Sequence, residues 1–162
     1  MATVLFDQPV SVTPKRMYYL VVSATEDSGN VVWNGISAAS DFHSINYDLK
    51  ADGGWRSTGD ITAFEILSDE EDDSLSGVYA QKNADKALYL LNAPNHKAVQ
   101  PFTAPFTRID SVMAYLTCTE DTDRALVRIM QDYRDDATVV AQQEFEIGGM
   151  KDGWQQLVFD TP

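Results

Sequence analysis

The apolar residues of this chain fall in short runs, rich in β-branched and aromatic side chains, and turn-forming clusters close most of them. A helix needs apolar residues three and four apart over a long stretch, whereas a strand needs simple alternation over a short one. Val112, Ala114, Leu116 and Cys118 share one face of a period-two pattern, as do Ala125, Val127 and Ile129. Ala141, Phe145 and Ile147 lie opposite Gln142, Glu144 and Glu146. Ile45, Tyr47 and Leu49 alternate in the same way, and the stretch from Ile61 to Leu67 places Thr62, Phe64 and Ile66 together. The run Met17-Tyr18-Tyr19-Leu20-Val21-Val22 is apolar on both faces, so it reads as a central strand covered on two sides.

Further strands are expected at Val4–Phe6, Val10–Val12, Val31–Trp33, Ala87–Leu91 and Trp154–Phe159. Pro9 and Pro14 suit an edge or a turn. Glu26 to Asn30 and Asp52 to Gly54 have turn composition. Arg124 and Arg128 are four apart, as on a helix, but the alternation of Ala125, Val127 and Ile129 favours a strand. Turn signals recur roughly every 8–15 residues, the spacing of a sandwich or jelly roll. The expected fold is therefore all-β: an antiparallel, jelly-roll-like β-sandwich.

One segment interrupts the pattern. Ser68-Asp69-Glu70-Glu71-Asp72-Asp73-Ser74 holds adjacent carboxylates that repel one another and resist burial. It is expected to form a solvated loop over 68–77, joining halves 1–67 and 78–162. Each half is small for a sandwich of its own, so the 162 residues are expected to share one core as a single domain.

The chain carries 12 Lys and Arg against 25 Asp and Glu, a net charge of −13. Phosphate backbones and anionic lipid surfaces are repelled by such a field, which excludes nucleic acid as a main partner. No segment has the ~20 apolar residues of a membrane-spanning helix. The N-terminus lacks the basic start and apolar core of a signal peptide, so synthesis in a cytoplasm is expected.

Catalytic signatures are missing. Cys118 is the one cysteine, so no intrachain disulfide is possible, and its apolar run suits an inert buried thiol. With Cys118, the two histidines His43 and His96 do not make the short-spaced cluster that zinc requires. Neither a phosphate-binding glycine loop nor a nucleophile elbow occurs. A pair of facing carboxylates carries no signal among 25 acids. No enzyme activity and no cofactor are expected. Calcium is the one plausible ion, with Asp69, Glu70, Asp72 and Asp73, or Asp121 and Asp123, as ligands, although EF-hand spacing is missing and a solvated loop is the simpler reading. Among the aromatics, Trp33, Tyr47 and Trp55 are the candidates for stacking on a sugar. Trp55 follows Gly53-Gly54 and is expected in an exposed loop, while Trp33 and Tyr47 sit in strand-like runs that favour the core.

The two ends of the chain echo each other. Val4-Leu5-Phe6-Asp7-Gln8-Pro9 and Leu157-Val158-Phe159-Asp160-Thr161-Pro162 share an apolar-apolar-Phe-Asp-polar-Pro form. Around them the chain resembles a class of β-sandwich modules of bacterial surface and phage virion proteins, which look like jelly-roll carbohydrate-binding domains. Val99-Gln100-Pro101-Phe102, Ile109-Asp110-Ser111-Val112, Tyr115-Leu116, Gly153-Trp154, Phe159 and Pro162 resemble the first half of such a module. Phe6, Pro9-Val10, Pro14, Tyr18 to Val22, Trp33, Tyr47, Trp55 and Phe64 resemble the second. The halves stand in permuted order, as in a circular permutation.

The resemblance implies that the repeated terminal strand is needed once, leaving a spare copy to complete a neighbouring subunit by strand addition. Val4, Leu5, Phe6, Pro9, Trp154, Leu157 and Phe159 are then the assembly residues. The function so implied is structural: a bacteriophage virion component, such as a capsid decoration, collar or fibre protein, whose partners are copies of itself or other virion proteins. The alternative is a carbohydrate-binding module that attaches to surface glycans through Trp55, Tyr47 and Trp33.

Overall fold

The computed structural model describes residues 10–25, 31–37, 45–48, 54–57, 60–68, 77–81, 86–91, 96–118, 124–146 and 153–157. In chain order the strands are β1 (Val10–Ser11), β2 (Met17–Ala24), β3 (Val31–Ser37), β4 (Ile45–Asp48) and β5 (Gly54–Ser57). There follow β6 (Asp60–Thr62), β7 (Phe64–Ser68), β8 (Gly77–Gln81), β9 (Lys86–Leu91) and β10 (Lys97–Thr103). The last are β11 (Arg108–Ile109), β12 (Ser111–Cys118), β13 (Arg124–Met130), β14 (Val139–Glu146) and β15 (Gly153–Leu157). A single 3-10 turn, Asp136–Thr138, precedes β14, and the described residues contain no α-helix.

These strands form an antiparallel β-sandwich. One sheet has six strands in the order β14-β13-β2-β10-β4-β5. The other follows β6-β3-β12-β7-β8, with β15 added to β12 and β9 added to β3. A short ribbon pairs β1 with β11. The halves on either side of the acidic run interdigitate. β2 lies between β10 and β13, and β12 lies between β15 and the strands β3 and β7.

Period-two alternation aims one face of each sheet inward. Leu20, Val22 and Ala24 of β2 are buried with Ala125, Val127 and Ile129 of β13. Against them pack Trp33, Phe64, Ile66, Val112, Ala114 and Leu116 from the second sheet, all in one apolar cluster. Each fully buried Leu, Ile, Val or Phe contributes about 1.5–3 kcal/mol of transfer free energy. The strands expected on Val112–Leu116 and Ala125–Ile129 therefore sit where the alternation places them, and Ala141 is buried beside them.

Two polar groups join the layers. Gln100 on β10 is almost fully buried, and its Oε1 accepts hydrogen bonds of 3.0 Å from both the amide and the hydroxyl of Thr62 on β6. Its Nε2 donates to the Pro101 carbonyl at 3.1 Å. A buried amide left unpaired costs about 1–3 kcal/mol, so the Gln100–Thr62 contact fixes how the sheets face each other. Pro101 itself lies past the stretch Lys97–Val99 where β10 pairs with β4, on a section flanked only by β2 among the described strands. A section paired on one side among the described strands is where a residue without an N–H is best tolerated.

The single strand expected over Ile61–Leu67 is interrupted at Ala63, where the pairing partner changes, and forms two strands. β6 pairs with β3 up to Gly35↔Thr62, and β7 pairs with β12 from Phe64↔Ala114. Ala63 bridges them. Its amide donates to the Asn34 carbonyl at 2.8 Å, and its carbonyl accepts from the Tyr115 amide at 3.1 Å and the Trp33 indole at 3.0 Å. The Asn34 side chain closes the corner by donating to the Tyr115 carbonyl (3.4 Å) and the Thr117 hydroxyl (3.2 Å).

The acidic loop is also shorter than expected. Ser68 is buried at the end of β7, and Gly77 begins β8, a strand the composition of the region did not suggest. Backbone pairing of β8 along the whole of β7 drew these end residues into the sheet.

Two substitutions test this account. At Gly35 a Cβ would overlap the Ile61 carbonyl oxygen and meet Leu88 Cδ1 at 2.6 Å and Thr62 Cα at 2.8 Å. Because two of these atoms are backbone, Gly35→Ala is expected to destabilise by about 2 kcal/mol or more in chemical denaturation. Lys15 has φ 63°, beside Pro14 in a turn closed by the Arg16 amide on the Thr13 carbonyl. Lys15→Gly removes the left-handed strain and should raise stability by about 0.5–1 kcal/mol, read as a higher Tm.

Candidate functional site

The alternation that buries Leu20 and Val22 sends Tyr19 and Val21 to the opposite, outer face of the six-stranded sheet. There Val21, Val99, Met130 and Tyr133 form a second, smaller apolar cluster, with Tyr19, Trp55 and Val139 packed against it. The cover is the connection between β13 and β14, residues 131–138, which folds back over the sheet.

Short side chains hold that connection rigid. Asp132 Oδ1 accepts from the Arg134 amide at 3.0 Å, and Asp135 Oδ1 accepts from the Ala137 amide at 2.9 Å. The Thr138 hydroxyl accepts from the Asp132 amide at 3.0 Å and lies 2.7 Å from the Asp135 carbonyl, to which it can donate. Asp and Thr make such local bonds because their oxygens reach the backbone two or three residues away. The connection is anchored to the sheet as well. Asp136 pairs with Arg128 at 3.4 Å and Lys97 at 3.8 Å, and Gln131 accepts from Arg16 at 3.0 Å. Exposed ion pairs are worth about 0–1 kcal/mol each, so these contacts orient the connection more than they stabilise it.

Tyr133 is the centre of the arrangement. Its ring is 92% buried, since only 8% of the residue is exposed. The ring lies 4.9 Å from that of Tyr19 and 4.7 Å from that of Trp55, both edge-to-face. The Arg134 guanidinium stands 5.0 Å above it. Each edge-to-face pair adds about 0.5–1.5 kcal/mol beyond its area. Tyr19 and Trp55 are half-buried and flank the buried ring on either side.

The residues expected to stack on sugar thus separate. Trp33 is fully buried in the main core with its indole N–H committed to Ala63, so it presents no surface to a ligand; this corrects its inclusion. Trp55 lies in strand β5, not in a loop, and is half-buried, because β5 pairs with β4 and Tyr133 packs on the indole. Tyr47 is the backbone partner of Trp55 in that ladder. Tyr19 and Tyr133 were not singled out in the sequence. The signal for Tyr19 was present, since a strand apolar on both faces needs cover on both. Tyr133 sits in a polar turn, where composition gives no hint of burial.

Among the terminal residues, β15 runs antiparallel to β12, with Trp154 opposite Tyr115 and Leu157 opposite Val112. Val4, Leu5, Phe6, Pro9 and Phe159 lie outside the described residues, as do His43, the acids Asp69, Glu70, Asp72 and Asp73, and Asp121 and Asp123. Among the described residues no group of three His, Cys, Asp or Glu is placed to hold a metal, and no helix is long and apolar enough to cross a membrane. Cys118 is half-buried at the end of β12.

Comparison with protein-family models, with curated proteins and with solved structures found no match.

Burial raises the Tyr19 pKa above its usual 10.0, helped by Tyr133 and Asp132 and opposed by Arg134. The folded state thus favours the neutral phenol. That contribution to stability is complete below the unfolded value of about 10 and is lost as pH rises through the higher folded value. Melting of the native chain should therefore fall more steeply with alkaline pH than melting of Tyr19→Phe, and parallel curves would refute the assignment.

Proposed function

We propose that this chain is a non-enzymatic structural domain that associates through its terminal strands, as a component of a bacteriophage virion. The observation that supports this most directly is β15. This strand ends at Leu157, the first residue of the C-terminal copy, and pairs among the described strands with β12 alone. Its other edge, unpaired among the described strands, is the candidate acceptor for a strand from another molecule. The N-terminal copy, residues 4–9, has the same apolar-apolar-Phe-Asp-polar-Pro form and supplies such a strand. Addition of one molecule's strand to the next is a head-to-tail contact, which generates rings or filaments. Candidate partners are copies of the chain and other virion proteins, consistent with the resemblance to modules of phage and bacterial surface proteins.

A second reading, a carbohydrate-binding module, is favoured by one observation: the half-buried Trp55 and Tyr19 rings presented on an outer sheet face. The two readings are compatible in one protein.

Deletion of residues 1–9 tests the first reading. The native chain should show a concentration-dependent mass above the monomer in sedimentation, and the truncated chain should remain folded with a mass shifted towards the monomer. Equal masses for the two chains would overturn strand exchange.

A further inference from the structure

The outer-face cluster differs in charge from the rest of the molecule. Over the whole chain, acidic residues outnumber basic ones by 25 to 12. Around the 131–138 connection, however, Arg16, Lys97, Arg128 and Arg134 offset Asp132, Asp135 and Asp136. Among the described residues, the aromatic surface therefore sits in a charge-balanced island on a strongly anionic protein. A basic partner would be drawn to the acidic remainder, and a polyanion would be repelled by the net field. The island suits an uncharged ligand.

We infer that Trp55 and Tyr19, held on either side of Tyr133, form a binding platform for an uncharged glycan, with Trp55 as the principal stacking ring. This rests on the carbohydrate-binding reading above and gives it a location and a ligand class. The apolar C–H face of a hexopyranose with equatorial hydroxyls matches an aromatic ring, and its rim needs hydrogen-bonding groups. Arg134, whose guanidinium stands over the Tyr133 ring, and Asp132, which accepts from the Arg134 amide, supply such groups on the connection that carries Tyr133. The platform is rigid before any ligand arrives. Tyr133 is locked by the two ring contacts, and its connection is tied by the Asp132, Asp135 and Thr138 bonds. Binding there orders few side chains, which lowers its entropic cost. Tyr133 is a positioning residue, since its own ring is buried.

The test is calorimetric titration of the full chain with cellohexaose, chitohexaose and mannohexaose, with polygalacturonate as the anionic arm. At least one uncharged hexasaccharide should bind, and polygalacturonate should not. Trp55→Ala should weaken binding about tenfold or more, the loss expected for an aromatic anchor, with Trp55→Phe restoring most of it. Thermal melting of each variant shows whether the fold is kept. Should Trp55→Ala unfold the chain, Tyr19→Ala is compared in its place, and unchanged affinity in that folded variant overturns the site. Binding that survives Trp55→Ala in a folded protein overturns this site but leaves a glycan-binding function standing elsewhere. Failure of every hexasaccharide to bind overturns both. Preferential binding of polygalacturonate overturns the ligand class. Loss of oligomeric mass in Trp55→Ala without sugar binding would make the surface a protein interface instead.

Discussion

The carbonyl of Ala63 accepts from the Trp33 indole and the Tyr115 amide at once, while the Ala63 amide donates to Asn34. Three strands meet in those bonds. At residue 63 the chain changes partners, from β3 along β6 to β12 along β7, and that exchange keeps the second sheet continuous. The corner is wholly buried, with Trp33 and Ala63 both at 0% exposure, so water cannot replace a lost partner. An unsatisfied buried group there would cost about 1–3 kcal/mol, a sizeable part of the 5–15 kcal/mol that holds a domain together. Gly35 belongs to the same constraint, because any side chain there would collide with the backbone of β6.

From that corner the second sheet spreads in both directions, and the Thr62–Gln100 bonds tie it to the first. Polar contacts therefore set the geometry, and apolar burial supplies the energy. The two roles are distinct. The apolar faces would tolerate several ways of stacking two sheets, whereas a buried glutamine must meet its one donor pair.

The outer face of the first sheet extends this logic towards function. A central strand apolar on both faces requires a second cover, and the fold meets that need with a connection instead of a third layer. The connection stays ordered through its own Asp and Thr bonds. Its one aromatic side chain, Tyr133, packs against both Tyr19 and Trp55. The eight residues thus order the aromatic face and, with Arg16, Lys97 and Arg128, balance its charge. At the other sheet, β15 pairs, among the described strands, with β12 alone.

Alternation by itself determined the strand-rich class and the inward faces of Val112–Leu116 and Ala125–Ile129, because a period of two leaves no other element able to bury one side. It also showed that the strand beginning at Met17 is covered twice. Tertiary structure alone decided the rest. Nothing in the composition around residue 63 marks a break between strands, and the pairing changes there because β3 and β12, distant in sequence, both bond to Ala63. Trp55 follows Gly53-Gly54 and is expected in a loop, yet it lies in strand β5 and is half-buried on an outer face, since burial depends on which strands flank a residue and not on its neighbours in sequence. The burial of Tyr133 in a turn of charged residues was invisible for the same reason: the apolar surface that receives it is built from β2, β5, β10 and β13, and comes into being only when those strands assemble.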